Sequence, residues 1–199
     1  RFMEAISFSH GQVLNISEVA RESEISRKTV EGYIHILHDL LLSQEIPIFS
    51  KRAKRALIKH NKFFYFDAGV YNTLRPKGPL DKPNEISGPA LEGLFLQHLQ
   101  AWVEYGQRNS RIYYWRTKSG VEVDFVLYGE KDFAAFEIKN ADKIRNKDLT
   151  GLKNFGDDYP AANLYFLYRG REKRKIEKVL CLPIREFLLD TIPGRPLSS

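Results

Sequence analysis

Three side chains on two neighbouring runs could do chemistry together. They are Asp124, in Val121-Glu122-Val123-Asp124-Phe125, and Glu137 and Lys139, in Phe136-Glu137-Ile138-Lys139. Along the first run Val121, Val123, Phe125 and Leu127 alternate with Glu122, Asp124, Val126 and Tyr128. Along the second, Ala134, Phe136 and Ile138 alternate with Phe133, Ala135, Glu137 and Lys139. Successive strand residues face opposite ways, so Glu137 and Lys139 share a face. An antiparallel turn through Gly129-Glu130-Lys131-Asp132 lets Asp124 join them. Two carboxylates take a hard divalent cation, magnesium or manganese, through oxygen, and a lysine beside them can orient or polarise a water. That chemistry cuts phosphodiesters. Asp124 and Lys139 could also form no more than a solvated cross-strand pair.

A third carboxylate sits upstream. Gly88 to Tyr105 reads as a helix, with Leu91, Phe95, Leu99 and Trp102 at helical spacing. At roughly 100° per residue Glu92 falls between Leu99 and Val103, inside the apolar sector. A core-facing carboxylate is costly unless paired, hydrogen-bonded or metal-bound. An arginine or a backbone amide would satisfy it as a metal would.

Glu92, Asp124, Glu137 and Lys139, in the order helix, strand, strand, resemble the PD-(D/E)xK restriction-endonuclease-like pattern, with Val123 where the motif's name has proline. FYFDAG (Phe64 to Gly69), LEGLFLQHL (Leu91 to Leu99), YYWRTKSGVEVDFVL (Tyr113 to Leu127) and AFEIKN (Ala135 to Asn140) resemble a narrower family. It is the domain of unknown function at the C-terminus of many bacterial and archaeal AAA-type ATPases, behind a winged helix. The resemblance covers nearly the whole chain and implies architecture more firmly than activity. It implies Asp124 and Glu137 as the principal metal ligands, with Glu92 a ligand directly or through water. Lys139 would stabilise the attacking hydroxide or the charge building on phosphate. Glu122 could stand behind Asp124 or form an exposed salt bridge. Arg116 and Lys118 could meet phosphates or simply face solvent. Tyr113, Tyr114 and Trp115 offer stacking surface but are dense enough to be core.

Bulk properties narrow the field. The 199 residues are 43% apolar and 13% aromatic, enough for one large core or two small ones. The 31 basic and 25 acidic residues leave +6, with a pI near 9.3, mildly favourable to nucleic acid. One cysteine, Cys181, excludes an intrachain disulfide and a cysteine zinc cluster, and its apolar run makes it a core filler. No apolar stretch reaches membrane-spanning length and no signal peptide is visible, so the expectation is a cytoplasmic protein without a membrane partner. The chain opens with Arg1, as a fragment of something longer would. It carries no G-x-x-x-x-G-K-[ST] loop, so ATP turnover is expected in an upstream AAA domain of the same protein, itself the expected partner.

The elements that must position the site follow. Ser17 can cap a helix over Glu18 to Glu22, and Ser26 a second over Arg27 to Leu42, with Val30, Ile34, Leu37 and Leu41 as its stripe. Strands at Glu45 to Phe49 and Lys62 to Phe66 flank Lys51-Arg52-Ala53-Lys54-Arg55, where the wing of a winged helix would lie. As a DNA binder this module would open its recognition helix with Arg27, Lys28 and Thr29. It would grip phosphates with Lys51, Arg52, Lys54, Arg55, Lys59 and Lys62. Glu31, His35, His38 and Asp39 dilute that charge, and packing against the ATPase domain or another subunit competes with DNA.

The expected organisation is α/β (α+β): a winged helix-turn-helix over 1–75, a Pro/Gly-rich linker over 76–87, and a nuclease-like α/β sandwich with a mixed sheet over 88–199. The last is expected to contain a helix 88–105, strands 111–117, 121–128 and 133–139, a helix 146–155, strands 162–168 and 178–182, and a helix 184–190. Two functions compete: metal-dependent cleavage of nucleic acid, or a non-catalytic module that binds a partner or regulates the ATPase.

Overall fold

Capping residues and apolar stripes set the elements of the first unit, Arg1–Ile46 with His60–Gln97. The structure, a computed structural model, describes residues 1–51 and 60–197. The order is α1 (Phe2–Ser7), β1 (Gln12–Val13), α2 (Ile16–Ser23), α3 (Arg27–Asp39), β2 (Ser43–Ile46), β3 (Lys62–Tyr65), α4 (Ala68–Leu74) and the start of α5 (Pro83–Tyr105). The strands form an antiparallel sheet in the order β1-β3-β2.

The cap of α2 is Asn15 rather than Ser17, with the Glu18 N–H donating to its side chain at 3.3 Å. Ser26 caps α3 as expected, accepting from the Thr29 N–H at 3.1 Å. That helix stops at Asp39, short of Leu42. Leu41 turns left-handed (φ +57), and the Leu42 N–H reaches back to the Leu37 carbonyl at 2.9 Å. Ile6, Val19, Val30, Ile34, Leu37, Phe63 and Tyr65 fill the core.

His10 is buried in this unit. Its Nδ1 accepts the Tyr65 N–H at 3.0 Å and its Nε2 meets the Pro89 carbonyl at 3.2 Å. Burial lowers its pKa to about 4, against the Pro89 hydrogen bond, which raises it. The proline-rich segment expected as a linker belongs to this same unit. Arg75 pairs with Asp81 at 3.0 Å and lies 3.8 Å over the Phe8 ring. The passage between units falls inside α5, after Gln97.

The second unit, Pro47–Lys59 with His98–Ser199, takes the rest of α5. There follow β4 (Ser110–Arg116), β5 (Glu122–Gly129), β6 (Phe133–Lys139), a 3-10 turn (Asn146–Leu149) leading into α6 (Thr150–Asp158), β7 (Asn163–Tyr168), β8 (Arg174–Ile176), β9 (Val179–Pro183) and α7 (Ile184–Asp190). They build a six-stranded mixed sheet, order β4-β5-β6-β7-β9-β8, parallel only between β6, β7 and β9. Helix α6 sends Leu152 and Phe155 into a core with Trp115, Val123, Val126, Ala135, Phe166 and Cys181. On the other face Phe187 of α7 meets Phe136 and Tyr165. Strand residues therefore alternate between two covered faces, giving the expected mixed α/β sandwich.

The strand expected at Glu45 to Phe49 breaks at Pro47, which has no N–H to continue the β2 ladder. Residues 47–49 line the edge of β4 instead. Tyr114 donates its N–H to the Pro47 carbonyl at 3.1 Å and accepts the Phe49 N–H at 2.7 Å. The Phe49 ring then packs among Tyr113, Tyr128, Phe133 and Tyr159.

Candidate functional site

The site is built where β5 departs from regularity. Between the β4–β5 pairs Tyr113–Val126 and Trp115–Val123 the register advances two residues on β4 and three on β5. One extra residue on β5 makes a bulge at Asp124–Phe125, a device common beside active sites. It explains why Val123 and Val126, an odd number of residues apart, share the α6-facing core. Helix α6 comes closest here. A Cβ on Gly151 would collide with the Glu122 carbonyl oxygen and sit 3.6 Å from Val123.

On its other side β5 pairs with β6 as the hairpin predicts, and the paired ladder ends at Phe125–Phe136. Asp124 and Glu137 are the next residues on the two strands beyond that pair. The Ile138 N–H donates to the Asp124 carboxylate at 2.8 Å, so a side chain does the work of a ladder carbonyl. Asp124 is 6% and Glu137 7% exposed. Lys139, two residues beyond Glu137 on the same face, sets its Nζ 2.7 Å from the Glu137 carboxylate, with a side chain 38% exposed. One of two buried carboxylates on adjacent strands thus meets an ammonium at the solvent edge.

The structure brings Asp124, Glu137 and Lys139 together in the second unit. Glu92 lies on α5 in the first unit, half-buried, 3.3 Å from where a Cβ on Gly11 would stand. Among the described residues no three His, Cys, Asp or Glu side chains group closely enough to hold a metal. Magnesium is nonetheless held by one or two carboxylates with waters and substrate phosphates completing its shell. The Asp124–Glu137 pair offers that donor set, so the residues fit the ion.

Of the surrounding candidates, Glu122 pairs with Arg116 at 3.4 Å, and Tyr114 and Trp115 are wholly buried core. Arg27 is exposed at the start of α3 and 3.9 Å from Glu31; Lys28 is exposed beside it. Lys51 sits 4.3 Å over the Tyr128 ring in the second unit. Arg52, Lys54, Arg55 and Lys59 lie outside the described residues. The sequence reading passed over Arg171 and Arg174, although six of the ten residues Arg169 to Lys178 are lysine or arginine.

The family model for a domain of unknown function, DUF4143, matches residues 87–187, and that for a second, DUF8612, matches residues 1–81. The chain is similar to the uncharacterized proteins Rv2008c of Mycobacterium tuberculosis and Mb2031c of Mycobacterium bovis, 28% identical to each over 186 residues. The match takes 90% of this chain but only 40% of theirs. No solved structure matches. No described helix is long and apolar enough to cross a membrane.

Proposed function

The chain belongs to the DUF4143 family, and from that premise we propose that its second unit cleaves phosphodiester bonds of nucleic acid with a divalent metal. One observation carries the reading: Asp124 and Glu137, both nearly buried, lie on adjacent strands, with Asp124 bonded to the Ile138 N–H and Lys139 held on Glu137. Asp124 and Glu137 would hold a magnesium or manganese ion. Bound there, the ion would polarise a phosphate oxygen and lower the pKa of a coordinated water. Lys139 keeps its ammonium at the rim, where it meets the charge that develops on phosphate. The Ile138 amide fixes one Asp124 oxygen and with it the place of the carboxylate.

The wider context is part of the same proposal. The element order α1-β1-α2-α3-β2-β3 and the sheet order β1-β3-β2 support a winged helix over residues 1–75. With the resemblance described above, they support a C-terminal region of an AAA-type ATPase, its nucleotide site lying upstream.

The test is a manganese and magnesium titration with a nuclease assay on the chain, Asp124→Ala and Lys139→Ala. Metal-dependent cutting should fall about 10²-fold or more in each variant. Cutting equal in all three proteins, or none together with no metal binding by calorimetry, overturns the reading.

A second reading has its own observation. Helix α3 and its end expose Tyr33, Ile36, Leu40 and Leu41, the last 77% exposed. Clustered exposed apolar side chains mark contact surfaces. They favour a protein partner, the ATPase domain or another subunit, on the helix that would otherwise read DNA.

A further inference from the structure

The run Arg169 to Lys178 holds six cations against Glu172 and Glu177, a local excess of +4. It leaves the end of β7 and winds through the edge strand β8, framing a cleft of about 430 Å³. Lys143, Arg171 and Arg174 line that cleft together with Asp142, Tyr168 and Glu172.

The concavity is built rather than incidental. Arg169 donates its N–H to the Ala141 carbonyl at 3.0 Å and its guanidinium to the Asn140 side chain at 3.1 Å. These bonds tie the loop after β7 to the loop after β6. The buried Tyr168 donates its hydroxyl to the Glu172 carbonyl at 2.6 Å. Gly170 admits no side chain, because a Cβ there would run into the Tyr168 ring and approach the Asp142 carbonyl at 2.7 Å. On this frame Lys143 and Arg171 stand exposed and make no ion pair with a described residue, while Arg174 is shared with Glu172 at 2.8 Å.

Its position matters most. Lys139 and Tyr168 are register partners on the parallel strands β6 and β7, about 4.8 Å apart. The cleft therefore opens one strand away from Lys139. We propose that it holds the phosphate backbone of a nucleic-acid strand, gripping phosphates that flank the one presented to Asp124, Glu137 and Lys139. Its place beside the cut phosphate rests on the nuclease reading, whereas phosphate binding in the cleft does not.

The test is fluorescence anisotropy of a labelled DNA oligonucleotide, single-stranded and duplex, titrated with the full chain in EDTA at low and moderate salt. Changing Lys143, Arg171 and Arg174 together to Glu should weaken binding at least about tenfold and reduce the salt slope by about two to three. Lys131→Glu, in the β5–β6 turn at the other end of those strands, should change affinity less than about twofold. If the triple variant fails to fold, Arg171→Gln alone should still cost about threefold. Unchanged affinity in the folded variants, or binding only to anionic phospholipid vesicles, overturns the proposal. Loss of binding in a chain that never cuts leaves the cleft standing and removes the nuclease. Equal metal-dependent cutting by wild type and triple variant at subsaturating substrate removes the cleft and leaves the nuclease.

Discussion

Asp124 has two duties that substitution can separate. As an acceptor for the Ile138 N–H it closes the end of the β5–β6 ladder. As a carboxylate it is half of the proposed metal pair. Asp124→Ala should leave that buried donor unsatisfied and cost about 1–3 kcal/mol in a denaturant titration. Asp124→Asn keeps an acceptor oxygen, so it should melt close to wild type while losing metal-dependent cutting as fully as the alanine variant.

His10 makes a second prediction at this scale. Its folded pKa, about 4, lies below the ordinary 6.5 because the imidazole is buried neutral. The unfolded chain therefore binds a proton that the folded chain refuses. Its contribution is complete above pH 6.5 and is lost as pH falls toward 4, about 3 kcal/mol over that window. Thermal melts between pH 7 and pH 4.5 should show the loss, and His10→Gln should flatten it. The nearness of Glu137 and Lys139 was legible because strand alternation alone puts them on one face. His10 was not, since nothing around it in sequence announces Tyr65 and Pro89 as partners.

Among the elements, the fit of α6 on β5 is the tightest. Gly151 lets the helix approach the Glu122 carbonyl, two residues before the bulge begins. Gly151→Ala should lower stability by about 1–3 kcal/mol by calorimetry and weaken the proposed metal binding as well, because relieving the clash must move β5 or α6. Long helices with strong periodicity were found in place, as α3 and α5 illustrate, each with one end a few residues off. Short or charged ones escaped. Strand β8 is Arg-Lys-Ile on a sheet edge, and α1 spans six residues. Ser17 and Asn15 are both good caps, and local chemistry does not choose between them. The bulge was invisible because an inserted residue shows only against the partner strand.

At the scale of the whole molecule, units and sequence segments do not coincide. Phe49 arrives from far upstream to fill an aromatic pocket of the second unit. A fragment cut at residue 88 would carry that pocket without its plug. Phe49→Ala in the full chain should cost about 3–5 kcal/mol in chemical denaturation, and the fragment 88–199 should melt lower still. A linker was expected at 76–87 because prolines and a glycine cluster there. The Arg75–Asp81 pair and the Phe8 ring, distant in the chain, instead fasten that segment down.

The odd spacing between Val123 and Val126 also has an evolutionary consequence. Point substitutions can exchange the chemistry carried at Asp124, but they cannot alter how many residues the strand spends crossing this stretch. Loss of the codon for Phe125 would make Asp124 the immediate neighbour of Val126 and rotate its carboxylate away from Glu137. Lineages of this family should therefore tolerate varied side chains here while rejecting any change in length.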